Sequence, residues 1–345
     1  MKIDKVKISK ILIIKPHAIG DVLLSTPVIE NLRYHFPNTV INFLTQTYCR
    51  DVLIGNPYLD RVLTYDLEYD SGYFIIKMIR RQKYDMVIDL FSNPRTALIT
   101  FTSGARYKVG YKFRMRSYAY NIKVEPRGGK VHNVEFNLDS LRALGLMIFS
   151  TRTHFCINPV HIDFADDFFK SHGLNEQTTI GINPCGTWET KVWYPEKFSG
   201  LINKLTGNGY KCLIFWGNES ERSQAEKILQ NSSEGVFLIP EIGLKYMGAL
   251  LKKCKIFITN DTGPMHIASA LGVNVAAIFG PTNSKLQGPV NTNSVVIKNE
   301  GLDCLGCNLT KVSDCPNRHK CMSELEVDYV LEKVMSLLKK DRSGT

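Results

Sequence analysis

The chain has 345 residues, 44% of them hydrophobic and 22% charged, with a formal net charge of +10. That length exceeds what one core usually supports, so two domains are expected. No apolar run approaches the roughly 18 residues of a membrane-spanning helix, and the basic start MKIDKVKISKILIIKP lacks a signal peptide's apolar length and cleavage site, so cytoplasm is the expected compartment.

In chain order, ILIIK (11–15), VINFLT (40–45), RVLTYD (61–66) and YDMVIDL (84–90) read as buried strands. VIENLRYHF and GYFIIKMIRRQK, between them, carry apolar residues at helical spacing. Such alternation predicts an α/β fold with a parallel sheet covered on both faces. The pattern breaks between about 105 and 130, then resumes with the helix VEFNLDSLRALGL, the looser FCINPVHID and another short helix. From 179 a second set of strands follows: TIGINPC (179–185), KCLIFWG (211–217), GVFLIPEI (235–242), IFITND (256–261) and VAAIFGPT (275–282). A final helix, SELEVDYVLEKVMSLLKK, closes the chain. The halves repeat one architecture, predicting Rossmann-like domains at 1–172 and 173–322 and a helix within 323–345. A ligand crevice is expected between the carboxyl ends of their strands.

Each candidate motif sits at such a strand end. KPHAIGD (15–21) places Asp21 either as a helix N-cap or, if the regular helix starts near Thr26 with Pro27, as a free loop carboxylate. NPCGTWETKVWYPEKF (183–198) offers Gly186, Thr187, Thr190 and Lys191 to a diphosphate. The bland alternative is a surface loop before a helix starting near Pro195, anchored by Trp193. WGNESER (216–222), with Trp216 and Gly217 at its start, offers Glu219 or Glu221 to ribose hydroxyls. Acidic residues in a helix's first turn are the plain alternative there. NDTGPMHIASALG (260–272) turns from strand to helix at Thr262–Gly263, exposing backbone N–H groups suited to phosphate. Asp261 would repel that phosphate, so it suggests sugar hydroxyls alongside. His17 and His266 sit in these loops as hydroxyl or phosphate donors.

Two further segments carry chemistry. RYKVGYKFRMR (106–116) gathers Arg106, Lys108, Lys112, Arg114 and Arg116 among aromatics. It reads as a solvated face, or as a site for nucleic acid or an anionic lipid headgroup. Cys304, Cys307, Cys315 and Cys321 spell C-x2-C-x7-C-x5-C. Structural zinc or iron would suit four thiolates, and a metal-free folded loop is the alternative. The other cysteines read as small buried hydrophobes.

In this order, KPHAIGDVLLSTPVIENLR, GYK with RGGKVHNVEFNLDSLRALGL, NPCGTWETKVWYPEKF, WGNESER, NDTGPMHIASALGVNVAAIFGPTN and the late cysteines resemble the ADP-heptose:lipopolysaccharide heptosyltransferases, glycosyltransferase family 9. The resemblance implies a GT-B fold of two facing Rossmann-like domains, the first binding acceptor and the second binding nucleotide sugar, with the last helix crossing back to the first. It implies inverting, metal-independent transfer from an ADP-sugar donor to an anionic lipid A–core acceptor, at the inner face of the inner membrane. By position, Asp21 matches the general base. Thr187, Lys191, Thr262 and Gly263 match diphosphate binders, and Asp261 matches a ligand of donor-sugar hydroxyls, with His266 beside it. Glu221 matches the ribose ligand, with Trp216 and Gly217 at its strand end, and Leu244 and Met247 enclose the adenine. Trp188 departs from the second Thr of some members, and the basic loop at 106–116 is left to the acceptor. No catalytic cofactor and no nucleic-acid partner are expected. The alternatives are a family 9 transferase using another nucleotide sugar, such as N-acetylglucosamine, and a basic, metal-clustered nucleic-acid-binding protein.

Overall fold

Apolar runs such as Ile11–Ile14 and Ile256–Ile258 form the central strands of the two sheets in this computed structural model, which describes residues 4–113, 115–290 and 293–342. The first unit, Met1–Cys156, holds six parallel strands: β1 (Lys10–Ile14), β2 (Val40–Gln46), β3 (Arg61–Tyr65), β4 (Met86–Asp89), β5 (Tyr107–Tyr111) and β6 (Ile122–Val124). Their order is β3-β2-β1-β4-β5-β6, so the chain changes direction across the sheet between β1 and β4. Its helices are α1 (Ile19–Leu23), α2 (Thr26–His35), α3 (Arg50–Leu53), α4 (Gly72–Arg81), α5 (Pro94–Thr102) and α6 (Asn133–Arg142). Ile75 and Ile79 of α4 and Ile99 of α5 form one core cluster with Leu12, Ile14, Leu44 and Val87 of the central strands.

The second unit, Ile157–Thr345, repeats the plan with β7 (Thr179–Asn183), β8 (Lys211–Ile214), β9 (Val236–Leu238), β10 (Ile256–Asn260), β11 (Asn274–Ile278) and β12 (Ser294–Ile297). The order β12-β11-β10-β7-β8-β9 puts its switch between β7 and β10. The helices are α7 (Pro159–Ser171), α8 (Pro195–Gly207), α9 (Glu219–Gln230), α10 (Leu244–Lys252), α11 (Gly263–Ala270), α12 (Ser284–Gln287), α13 (Lys320–Ser323) and α14 (Val327–Arg342). Switch points put the carboxyl ends of neighbouring strands beside a gap where loops diverge, the usual ligand position in such sheets.

The structure differs from the expectations in several places. The units divide at Cys156/Ile157 rather than 172/173, because α7 packs on α10 of the second unit. The irregular stretch from 105 to 130 contains the strands β5 and β6, and β12 completes the second sheet beyond VAAIFGPT. The last helix, expected to return to the first domain, packs in its described part on α8, β11 and β12. No described helix is long and apolar enough to cross a membrane.

Candidate active site

In the second unit the decisive residues come from loops at the carboxyl ends of β7, β10 and β11. Lys191, in the turn after β7, and Asp261, just past β10, lie well apart in sequence yet form an ion pair, Nζ to Oδ2 2.8 Å. The Asp261 side chain is 4% exposed and that of Lys191 14%. The Thr282 hydroxyl, after β11, donates to the same Oδ2 at 2.7 Å. The Lys191 ammonium also lies 4.4 Å from the centre of the Trp188 ring. Trp188, a departure from the family pattern, thus takes the cation on its face.

Two asparagines that sequence reasoning passed over fix these loops. Asn260 donates from Nδ2 to the carbonyls of Pro184 (3.0 Å) and Cys185 (3.1 Å), and its Oδ1 accepts from the Trp193 amide at 3.1 Å. Asn183 donates to the Thr262 hydroxyl at 3.2 Å and accepts from the Cys185 amide at 3.1 Å. Both are buried, so each hydrogen bond replaces water that cannot reach them. Thr262 is the N-cap of α11, with extended backbone and Pro264 in the first turn, and Gly263 opens the helix. Thr187 stands exposed after β7, and His266 is buried within α11. The bland reading of this loop is also met in part: Trp193 is wholly buried and α8 begins at Pro195.

At β8 the Trp216 indole donates to the Ile239 carbonyl at 2.8 Å. Asn218 caps α9 by accepting from the Glu221 amide, which leaves the Glu221 carboxylate free to reach back to the Gly217 amide at 2.8 Å. Burial pushes the Glu221 carboxyl above its usual range, and the Gly217 N–H opposes that. Glu221 therefore faces the strand end, while Glu219 is exposed. Leu244 opens α10 and Met247 is buried one turn on.

In the first unit, Asp21 is not a helix cap. Ala18 occupies the N-cap of α1 with no side-chain hydrogen bond, and Asp21 lies in the first turn, half-buried. The regular helix α2 begins at Thr26 with Pro27 in its first turn. Near Asp21 stand His17, which the sequence singled out, and Lys15, which it did not. Lys15 is buried at the end of β1, donates to the Leu90 carbonyl at 3.3 Å and lies 5.6 Å from the Phe91 ring centre. Burial lowers its pKa, opposed by the charges of Asp21 and Asp89. His17 packs edge-on to Phe91 at 4.7 Å; burial holds its pKa down, Asp21 acting against and Lys15 with that shift. Asp89 ends β4 wholly buried and accepts from Tyr120 Oη at 2.8 Å and from the Phe91 and Ser92 amides at 3.0 and 2.8 Å. Burial raises its pKa against those donors. It shapes the turn that carries Phe91 beneath Lys15 and His17.

The basic run divides. Lys112 pairs with Glu125 at 2.7 Å, Arg106 lies 5.3 Å from the Tyr107 ring centre, Lys108 5.8 Å from that of Phe101, and Arg116 5.2 Å from that of Phe113. Arg114 lies outside the described residues. The late cysteines converge: Cys304, Cys307 and Cys315 all add to the upward shift that burial imposes on the Cys321 thiol. Even so, no group of three or more His, Cys, Asp or Glu among the described residues is arranged to hold a metal ion. What the segment does is brace the Lys191 turn: Thr190 Oγ1 donates to the Leu309 carbonyl at 2.5 Å, Val312 N donates to Glu189 Oε2 at 3.2 Å, and buried His319 Nε2 bonds the Thr190 carbonyl at 2.8 Å.

Comparison with known proteins sets this arrangement in a family. A glycosyl transferase family 9 protein from Veillonella parvula superposes with a TM-score of 0.85 at 23% identity, covering 96% of this chain and 97% of that one. The Escherichia coli heptosyltransferase WaaC with ADP gives 0.72 at 19%, covering 95% and 99%. In sequence, the Escherichia coli lipopolysaccharide heptosyltransferase 3 is 26% identical over 293 residues, covering 80% of this chain and 85% of that one. The family described as Glycosyltransferase family 9 (heptosyltransferase) matches residues 73–316. Two six-stranded parallel sheets with their switch-point loops, and this match over most of the chain, make it a GT-B glycosyltransferase that belongs to family 9, the heptosyltransferases.

Proposed function

We propose that the chain transfers a heptosyl residue from an ADP-activated donor to a sugar hydroxyl of the lipopolysaccharide inner core, with inversion at the anomeric carbon. The observation that carries this reading is the Lys191–Asp261–Thr282 cluster beside the N-terminus of α11. An ammonium has three N–H donors. One spent on Asp261 leaves two for diphosphate oxygens, joined by Thr187, Thr262 and the Gly263 amide. The paired lysine removes the repulsion that a bare carboxylate would exert on phosphate. Asp261 is then available to accept from donor-sugar hydroxyls, with His266 alongside. Glu221 takes the ribose hydroxyls at the Trp216–Gly217 strand end, and Leu244 and Met247 cover the adenine.

Asp21 is the base. It takes the proton of the acceptor hydroxyl as that oxygen attacks the anomeric carbon, a role that supplies roughly 100- to 10,000-fold. The bond to the β-phosphate oxygen breaks with its electron pair leaving on ADP. Lys191 and the α11 terminus meet the developing charge, so the chemistry runs without a metal. Arg106, Lys108, Arg114 and Arg116 serve the anionic lipid A–core acceptor, with Lys112 already engaged by Glu125, at the inner face of the inner membrane.

Product analysis tests the reading with ADP-heptose and UDP-N-acetylglucosamine offered separately to a heptose-deficient core acceptor. Heptosylated product of inverted anomeric configuration is expected from the first donor only. Transfer from the UDP-sugar instead would overturn the donor assignment.

A further inference from the structure

The chain's net charge has an address. Residues 71–84 hold Lys77, Arg80, Arg81 and Lys83, residues 90–124 hold seven more Lys and Arg, and neither stretch contains an Asp or Glu. Together the stretches carry +11, against +10 for the whole chain. They form α4, α5, β5 and the turn at 115–121, and α4 lies against α5. Both helices bury one side on the sheet through Ile75, Ile79 and Ile99. Helical geometry then turns the opposite sides outward.

What those outward sides carry is unusual for a solvated surface. Tyr73 and Phe74 of α4 are 73% and 53% exposed, and Leu98 and Phe101 of α5 are exposed too. Tyr118 packs edge-on to Phe101 at 5.7 Å while itself exposed, and neighbouring Met115 is 83% exposed. Cations sit over the rings: Lys77 lies 5.8 Å from the Tyr73 ring centre and Lys108 5.8 Å from that of Phe101. A recess of about 250 Å³ lined by Phe74, Lys77, Met78, Arg81 and Gln82 opens on α4. The acidic turn Asp66–Asp70 precedes α4, at the end opposite Arg80 and Arg81.

From this we infer that the α4–α5 face docks the protein onto a bilayer surface bearing anionic lipid headgroups. Lysines and arginines meet phosphates at the headgroup level, where aromatic rings with one polar edge also partition, while Leu98, Phe101 and Met115 reach the acyl boundary. The mixture of exposed aliphatic and aromatic side chains with one sign of charge distinguishes this face from a purely electrostatic nucleic-acid groove. The inference extends the functional reading, which gives the enzyme a lipid-linked acceptor and shares its basic run at 106–116, but its tests fall on α4 and α5 residues that the reading does not use.

Co-sedimentation of the full chain with phosphatidylcholine vesicles, with and without phosphatidylglycerol, tests it. Binding is expected only to the anionic vesicles. At about one kcal/mol per charge near such a surface, Lys77→Ser/Arg80→Ser/Arg81→Ser should weaken it by about 100-fold at low salt. Leu98→Ser/Phe101→Ser should weaken it at high salt as well, because an apolar contact is not screened. A Phe101→Trp variant gives a readout that does not depend on deleting anything: its emission should shift to the blue on anionic vesicles. Heptosyl transfer to a delipidated, soluble core acceptor, measured in parallel, should be unchanged in all three variants. Parental binding by the triple variant, no blue shift at Trp, or displacement of the protein from vesicles by random RNA at equal phosphate would each overturn the docking face. Vesicle binding without transfer from ADP-heptose would leave the face standing and remove the functional reading instead.

Discussion

Lys191→Ala separates the two duties assigned to one ammonium. Its partner, the Asp261 carboxylate, is nearly inaccessible and keeps the Thr282 hydroxyl once the lysine is gone. Removing one member of a buried ion pair costs about 3–5 kcal/mol, because the other charge stays buried without compensation. The lower end applies here, since Thr282 remains and the lysine itself is partly exposed. About 3 kcal/mol corresponds to a fall in melting temperature of roughly 6–12 °C for a unit of this size. Donor binding should suffer separately: a hydrogen bond to a charged group contributes about 1.5–3 kcal/mol, so ADP affinity should drop roughly 10- to 100-fold. The double variant Lys191→Ala/Asp261→Asn distinguishes the effects. It removes the stranded charge and should recover about 1–3 kcal/mol of stability while leaving ADP binding weak. Thermal melts of the four proteins of this cycle, with and without ADP, supply every number. If the single variant melts like the parent, or the double variant loses the plain sum of the two singles, the ion pair is not the organising contact of the donor site.

Three other outcomes follow from particular contacts. Asp21→Asn should lower turnover by roughly 100-fold or more with ADP affinity and melting temperature unchanged, since Asp21 caps no helix; near-normal turnover would move the role to His17. Gly110→Ala would place a Cβ 2.4 Å from the Tyr120 ring and push that ring off Asp89, so a loss of about 1–3 kcal/mol is expected in denaturant unfolding, and an unchanged midpoint would contradict the packing. Burial pushes the Cys321 thiol up to about 11, so at pH 8 its thiolate fraction is about a thousandth; iodoacetamide with peptide mapping should label exposed Cys307 well before Cys321, the lag narrowing as pH rises, and equal rates at pH 8 would refute the burial.

Most of the fold was legible because central parallel strands are buried on both sides and read as unbroken apolar runs: ILIIK and IFITN needed no context. Strands without such a run escaped. β5, Tyr-Lys-Val-Gly-Tyr, lies between β4 and β6 but alternates Tyr107, Val109 and Tyr111 with Lys108 and Gly110, and five cations within 106–116 hid that period. The domain boundary escaped because α7 is assigned to the second unit by its packing on α10, which no local pattern encodes. In the candidate loops of each unit, residue types at strand ends drew attention to Asp21, Lys191, Glu221 and Asp261. Asn183 and Asn260 looked like ordinary turn residues, since the carbonyls and hydroxyl they bond come from other segments of the chain.

The same contacts answer the question posed by a carboxylate beside a phosphate-binding helix end. Asp261 alone at the mouth of α11 would cost the site much of its attraction for an anion. Lys191 reverses that locally, but a flexible lysine would spend the gain on its own ordering. Here the ordering is done before any donor arrives. The carboxylate and Trp188 hold the ammonium from two sides, Asn260 ties the β7 loop to the β10 loop, and the 301–323 segment braces the turn from behind through His319 and Leu309. Preorganised charge of this kind is what a departing diphosphate requires, since it need not reorient while the bond breaks. The cysteine-rich segment thereby acquires a mechanical role: it backs the turn that carries Lys191.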